Sequence, residues 1–357
     1  MRNGGKMSGA AKRIGWGILF VEFVIVPCWI MVGSIDGVPF DDSDIIPSMA
    51  DEKLSRETWS QYDGRVSGLW DGLEDFQTNN VVETAFSSGN HSAAIEMVSN
   101  QLQKGSQILR SATSMDEYCV GAGIIQVALS KVRVAMGKQE FPDDAMDTFE
   151  KTMDAIQGAD MALCKRAIQM DYAWQKRRME NGDYLAFISN RITRIVLGSY
   201  MLHSNDTLSL EAVEARKGMA VLDAARCPWA EGQDDRDQSG WIHFVTAMMA
   251  PNGGGRICSS AFKEEIRNSI HRALHETQRS IEAARITIAV TRYRNKHGKP
   301  PKNADELVSG YLKAIPTDPC SHQPVRIDVE KNSIQFGSDD GWHVYPPGET
   351  KETKGVS

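Results

Sequence analysis

The sequence lacks the short motifs that mark the commonest chemistries. Its six cysteines contain no Cys-x-x-Cys pair, which excludes a zinc ribbon and a thioredoxin-type redox site. There is no Gly-x-Ser-x-Gly nucleophile elbow and no Gly-x-Gly-x-x-Gly dinucleotide turn. Gly253-Gly254-Gly255 lacks the Gly-Lys-Ser/Thr ending of a phosphate loop and reads as a loop after Pro251. His271 and His275 share a helix face, but His275-Glu276-Thr277-Gln278-Arg279 lacks the second histidine of a zinc-protease helix, and no third ligand is evident. The pair therefore reads as part of a partly exposed helix face. No repeat of about 20–50 residues is present. Basic charge is scarce beyond the start: Arg2, Lys6, Lys12 and Arg13 precede any acid, and residues 14–357 carry 36 basic against 47 acidic groups. An acidic body excludes the clustered basic face that a nucleic-acid partner needs. Lys176-Arg177-Arg178, beside Trp174, reads as a solvated run. Neither catalysis nor a bound cofactor is expected.

What is present begins with an apolar run. Ile14 to Ile35 is 22 residues long and carries one charge, Glu22, and one proline, Pro27. At a rise of about 1.5 Å per residue it can cross a hydrocarbon core of about 30 Å. The basic residues before it and Asp36, Asp41, Asp42 and Asp44 after it place the N-terminus in the cytoplasm. The bulk of the chain is then extracytoplasmic, held at the inner membrane by a single pass. A cleaved signal peptide ending near Val32-Gly33-Ser34 is the alternative. The five cysteines beyond Cys28 allow two disulfides and one free thiol in an oxidising compartment, or buried free thiols.

From residue 51 onward the spacing is helical. Stretches near 92–110, 115–136, 144–181, 183–203 and 208–224 carry helix patterns, and a loop follows Arg226-Cys227-Pro228. The last helix shows one stripe, Ile266, Ile270, Leu274, Thr277, Ile281, Ala284 and Ile288, with Ser260 as its expected N-cap and Gly298 as its stop. A short helix is expected from Asn303 to Ser309. Val325–Val329, Ser333–Phe336 and Trp342–Tyr345 then alternate as three short strands. The fold class expected is mostly α: an N-terminal transmembrane helix, an exported multi-helix domain and a small C-terminal α+β tail with a three-stranded antiparallel meander. The boundaries read as 1–13 basic segment, 14–35 membrane helix, 36–50 linker, 51–258 helical domain, 259–345 long helix plus α+β module, and 346–357 loose tail.

Two stretches resemble known families. Gly17-Ile18-Leu19-Phe20-Val21-Glu22 resembles the processing site of type IV pilins and pseudopilins: a basic leader, a glycine before the cut, an apolar first residue and a glutamate at the fifth. In that family the glutamate pairs with a neighbouring subunit's N-terminal amine. Tyr293 through Pro301, then Ala304-Asp305-Glu306-Leu307-Val308, then Tyr311 through Pro319, resembles the soluble part of the major pseudopilin of type II secretion, over about a sixth of the chain. Some 270 residues separate Glu22 from Tyr293, where a pseudopilin has about fifty. The tail therefore reads as a borrowed module, and the chain resembles more closely a set of uncharacterised membrane-anchored bacterial helical proteins that carry such a tail. The resemblance implies calcium at Asp339 and Asp340, in Ser338-Asp339-Asp340-Gly341. Two adjacent carboxylates supply few of the about six to eight oxygens that calcium takes. The function expected is a membrane-anchored envelope scaffold or interaction protein, with envelope or secretion-assembly proteins as partners. A filament component processed after Gly17 and an exported helical hydrolase are the alternatives.

Overall fold

The apolar spacing is realised as helix over most of the chain. The computed structural model describes residues 40–47, 50, 57–138, 141–156, 160–181, 203–224, 252–308, 310–328 and 333–336. Its helices are α1 (Trp59–Thr78), α2 (Val81–Ser87), α3 (His91–Ser111), α4 (Met115–Lys138), α5 (Asp143–Ala155), α6 (Met161–Glu180), α7 (Ser204–Asp223), α8 (Gly253–Glu264), α9 (His271–His297) and α10 (Asp305–Val308). A π-helical turn, Glu265–Ile270, joins α8 to α9. β1 (Arg326–Asp328) and β2 (Ser333–Gln335) pair antiparallel, with Ile327 opposite Ile334. Two compact units divide the chain: Met1–Ile45, Tyr172–Glu214 and Asp235–Lys263 in the first; Ile46–Asp171, Ala215–Asp234 and Glu264–Ser357 in the second.

In the first unit, Asp42 is buried and its carboxylate accepts from the Tyr172 hydroxyl at 2.9 Å and the Lys176 ammonium at 2.8 Å. Trp174 is buried as well, and Lys176, expected in a solvated run, pairs with Asp42, while Arg177 and Arg178 stay half-exposed. Asn252 takes a positive φ, 54°, and its side-chain oxygen accepts from the His203 backbone and the Thr207 hydroxyl. A Cβ at Gly255 would collide with Thr207 and Asn252. Glycine is therefore needed for close approach, and the run expected to be a loop starts α8 instead.

In the second unit α4 is the centre. Met115–Gly137 is long and apolar enough to cross a membrane by length and composition alone, at a mean hydropathy of 1.4. However, 67% of it is buried, because α1, α2, α3 and α9 pack around it. A helix enclosed on several sides needs apolar residues on several faces. α3 and α4 approach closely at Gly105 and Gly121, where a Cβ on Gly105 would lie 2.8 Å from Ile125 and 2.9 Å from the Gly121 carbonyl. Gly105→Ala is expected to destabilise the chain by about 1–3 kcal/mol through overpacking, read as a lower urea midpoint. Lys131, buried on α4, donates to the Asn79 carbonyl at 3.0 Å and pairs with Glu83, a cation placed at the C-terminal end of α1.

The expected helix over 144–181 is two helices. α5 ends where Ile156 turns extended, and the Asp160 carboxylate caps α6 by accepting from the Leu163 backbone at 2.7 Å. The last helix is longer than its cap signal indicated. Ser260 lies inside α8, and helical backbone runs from Gly253 through the π-turn to His297. Its stripe buries Ile266, Ile270, Leu274, Thr277, Ala284 and Ile288, with Ile281 half-exposed. Along α9, Arg285 and Arg292 pair with Asp154, Asp147 and Glu150 of α5. Gly298 ends the helix in the left-handed region at φ 65° and donates back to the Arg294 carbonyl.

The tail folds back onto α9. Leu307 of α10 joins Ala289 and Tyr293 in one apolar cluster, while Val325, Ile334 and Phe336 join Ala283 and Ile286 in another. This is how so short a ladder gains a hydrophobic backing. Two of the three expected strands are present; Trp342–Tyr345 lies outside the described residues, as do the helix expected at 14–35 and all but the last residue of the one expected at 183–203.

Candidate functional site

The densest chemistry in the second unit is a group of carboxylates at the π-turn. Glu265 opens that turn, Asp116 stands in the first turn of α4, and Asp171 lies on α6. Burial, reinforced by the Asp171 and Asp116 charges, pushes the Glu265 carboxyl up to about 8. Burial also raises Asp116, with Asp63 adding repulsion. Tyr62, buried on α1, is raised by burial first and by Asp171 second, against a hydrogen bond with Ser114. Like charges gathered out of water cannot all ionise, so one carboxyl keeps its proton near neutral pH. Cys119 sits in the same field and is pushed up by burial, then by Glu265, Asp116 and Asp171, which leaves an unreactive protonated thiol. π-turns recur at functional sites, and a carboxyl held neutral at pH 7 can act as a proton donor. Among the described residues no group of three His, Cys, Asp or Glu side chains has the geometry to hold a metal ion.

The second group is His271 and His275. Both are buried, at 1% and 6% exposure, so the partly exposed face expected for them is wrong. They flank Leu274 and follow Ile270, and the buried stripe is wide enough to take them in. Burial pushes His271 down to about 4, with repulsion from His275 adding to it and the Gly218 backbone opposing. Gly218 leaves room in the same region, since a Cβ there would strike the side chain of Ile266.

The third is a buried ion pair that fastens the tail. Arg279 of α9 meets Asp318 with both carboxylate oxygens, Nε to Oδ1 at 2.7 Å and Nη2 to Oδ2 at 3.0 Å. Asp318 is fully buried, and its Oδ2 also accepts from the Ser321 backbone at 2.9 Å. Burial alone would raise this carboxyl; the bonds from Arg279 and Ser321 outweigh it and hold the group below the usual range. The Arg279 guanidinium also lies 5.9 Å from the centre of the Phe336 ring.

Cys320, two residues on, is disulfide-bonded, and Cys119, Cys164 and Cys258 are free. Gly17, Ile18 and Glu22, the expected processing site, and Asp339 and Asp340, the expected calcium ligands, lie outside the described residues. Among the described residues of the second unit, a groove of about 600 Å³ is lined by Met153, Gln278, Ile281, Arg285 and Pro316, and another of about 350 Å³ by Phe76, Val81, Met97 and Gln101. Neither is lined by Asp116, Asp171 or Glu265. No family model, curated protein or solved structure matches this chain.

Proposed function

We propose that the chain is a single-pass, membrane-anchored scaffold or interaction protein of the bacterial cell envelope. Residues 14–35 anchor it with the N-terminus in the cytoplasm, and the pseudopilin-like segment 259–345 serves as its docking module toward envelope or secretion assemblies. The observation that supports this best is the disulfide at Cys320, because disulfides persist in oxidising compartments outside the cytosol. The apolar run behind four basic residues supplies the route there. Mass spectrometry of the N-terminus, on protein from the membrane fraction, tests the anchor. An intact start near Met1 is expected. A start at Ile18, above all an N-methylated one, would overturn the permanent anchor in favour of a processed filament subunit.

One observation favours the hydrolase alternative: the Glu265 carboxyl, protonated near neutral pH beside two other carboxylates, is suited to general-acid work. Turnover of a hydrolase substrate panel that disappears in Glu265→Gln would establish that alternative.

A further inference from the structure

We propose that the groove between α1, α2 and α3 docks a basic amphipathic helix of a partner protein. Its volume is about 350 Å³, with Phe76 and the buried Val82 in its lining and Asp75 and Gln101 as polar members. Val81 and Met97 line it too, and they stand 52% and 38% exposed. Large apolar side chains left in water around one concavity mark a surface that another molecule covers. Every one of these residues lies in the second unit.

The shape fits a helix. Gly72 lines the groove, and Gly64 and Gly68 continue its line along α1 in steps of four. Among the described residues nothing lies within 4 Å of a Cβ built on Gly64 or Gly68, and one built on Gly72 meets the Lys104 ammonium at 3.9 Å. That smooth flank lets another helix come close to α1, and side chains on its apolar face then reach into the groove. The charge fits a basic helix. Asp71 and Glu74 stand beside Gly72 and Asp75 on α1, and Glu96 precedes Met97 on α3. All four acids are exposed, with Lys104 the cation among them. Lysine or arginine on the flanks of the incoming helix is drawn to this rim and sets its register. A second copy of the chain fits badly, because its own α1 would bring the same acids face to face with these. The proposed function gives docking to segment 259–345; this is a second surface, and it does not depend on the anchor.

The probe is an amphipathic peptide of leucine, alanine and lysine with one benzophenone side chain on its leucine face. A counterpart carries glutamate in place of lysine. The full chain is irradiated with each peptide and digested, and the linked residues are mapped by mass spectrometry. Linkage of the lysine peptide is expected at Met97 and its neighbours on α1 to α3, with labelling by the glutamate peptide lower by about tenfold or more. Val81→Glu and Gly68→Leu change positions open to solvent, so each should keep the circular dichroism spectrum of the parent and cut the labelling about tenfold. Asp71→Lys combined with Asp75→Lys is expected to turn the preference toward the glutamate peptide. Linkage elsewhere, no linkage, labelling that Val81→Glu and Gly68→Leu leave intact, or a preference that the two lysines leave unchanged would each overturn the proposal. So would a dimer in sedimentation velocity that Gly68→Leu dissociates, since the surface would then belong to a second copy. None of these readouts requires insertion into a membrane, so failure of the anchor leaves them standing.

Discussion

Asp318→Asn is expected to lower the unfolding free energy of the chain by about 3–5 kcal/mol, the range for breaking one side of a buried ion pair. The loss follows from what remains. Arg279 keeps its charge with a side chain 13% exposed, and an amide can accept on one atom only where the carboxylate accepted on two. The Ser321 backbone N–H faces the same substitution. Arg279→Met is expected to be as damaging, because it strands a fully buried carboxylate that then has to take up a proton. The double variant Arg279→Met with Asp318→Leu is expected to recover part of the loss, since no charge is left buried, and urea unfolding of all three measures the coupling. The pH dependence has a fixed sign. The folded Asp318 carboxyl is held below its unfolded value, so its stabilisation is present above the ordinary carboxylate range, about pH 4, and is lost as pH falls below it. In Asp318→Asn that acid-side loss should be absent. A variant as stable as the parent would mean that the apolar contacts of Leu307, Val325, Ile334 and Phe336 hold the tail without the pair.

The same pair shows what the sequence could and could not tell. The order of Tyr311 through Pro319 after a long helix and a Gly298 break was legible as part of a resemblance. The partner was not: Arg279 lies 39 positions upstream, where it looks like any surface arginine of a long helix. Local spacing carried the elements well where burial decides. The stripe from Ile266 to Ile288 is buried almost as drawn, and α3, α4 and α7 lie where periodicity put them. It failed where a close approach decides. Gly253-Gly254-Gly255 looked like a loop because glycine disfavours helix, yet a side chain at Gly255 would strike Thr207 and Asn252. The π-turn left one trace, two successive steps of four along Ile266, Ile270 and Leu274. The carboxylate cluster left another. Asp171 stands three positions after the buried Ile168 and directly before the buried Tyr172, an acid at an apolar position. Its companions come from α4 and the π-turn, and no sequence pattern joins them.

The cluster yields the second large effect. Glu265→Gln is expected to remove a loss of stability that the unaltered chain shows between about pH 6.5 and 8. The folded carboxyl is pushed up to about 8 from an ordinary 4.5, so the folded state holds this proton more tightly than the unfolded chain does. Its contribution is therefore fully present below pH 4.5 and is lost as pH rises through 8, by at most about 1.4 kcal/mol per pH unit. Asp116, also raised, acts in the same sense. His271 acts in the opposite one. Pushed down to about 4 from 6.5, it stabilises above pH 6.5, and that contribution is lost as pH falls through 4. Between 4.5 and 6.5 the two slopes oppose, and above 6.5 the carboxylates act alone. Thermal unfolding followed by circular dichroism across this range should show the variant and the parent converging near pH 5 and separating by about 5 °C at pH 8. His271→Phe should alter the acid limb and leave the alkaline limb in place. Parallel curves for Glu265→Gln and the parent would show that Glu265 ionises freely and that no proton is shared.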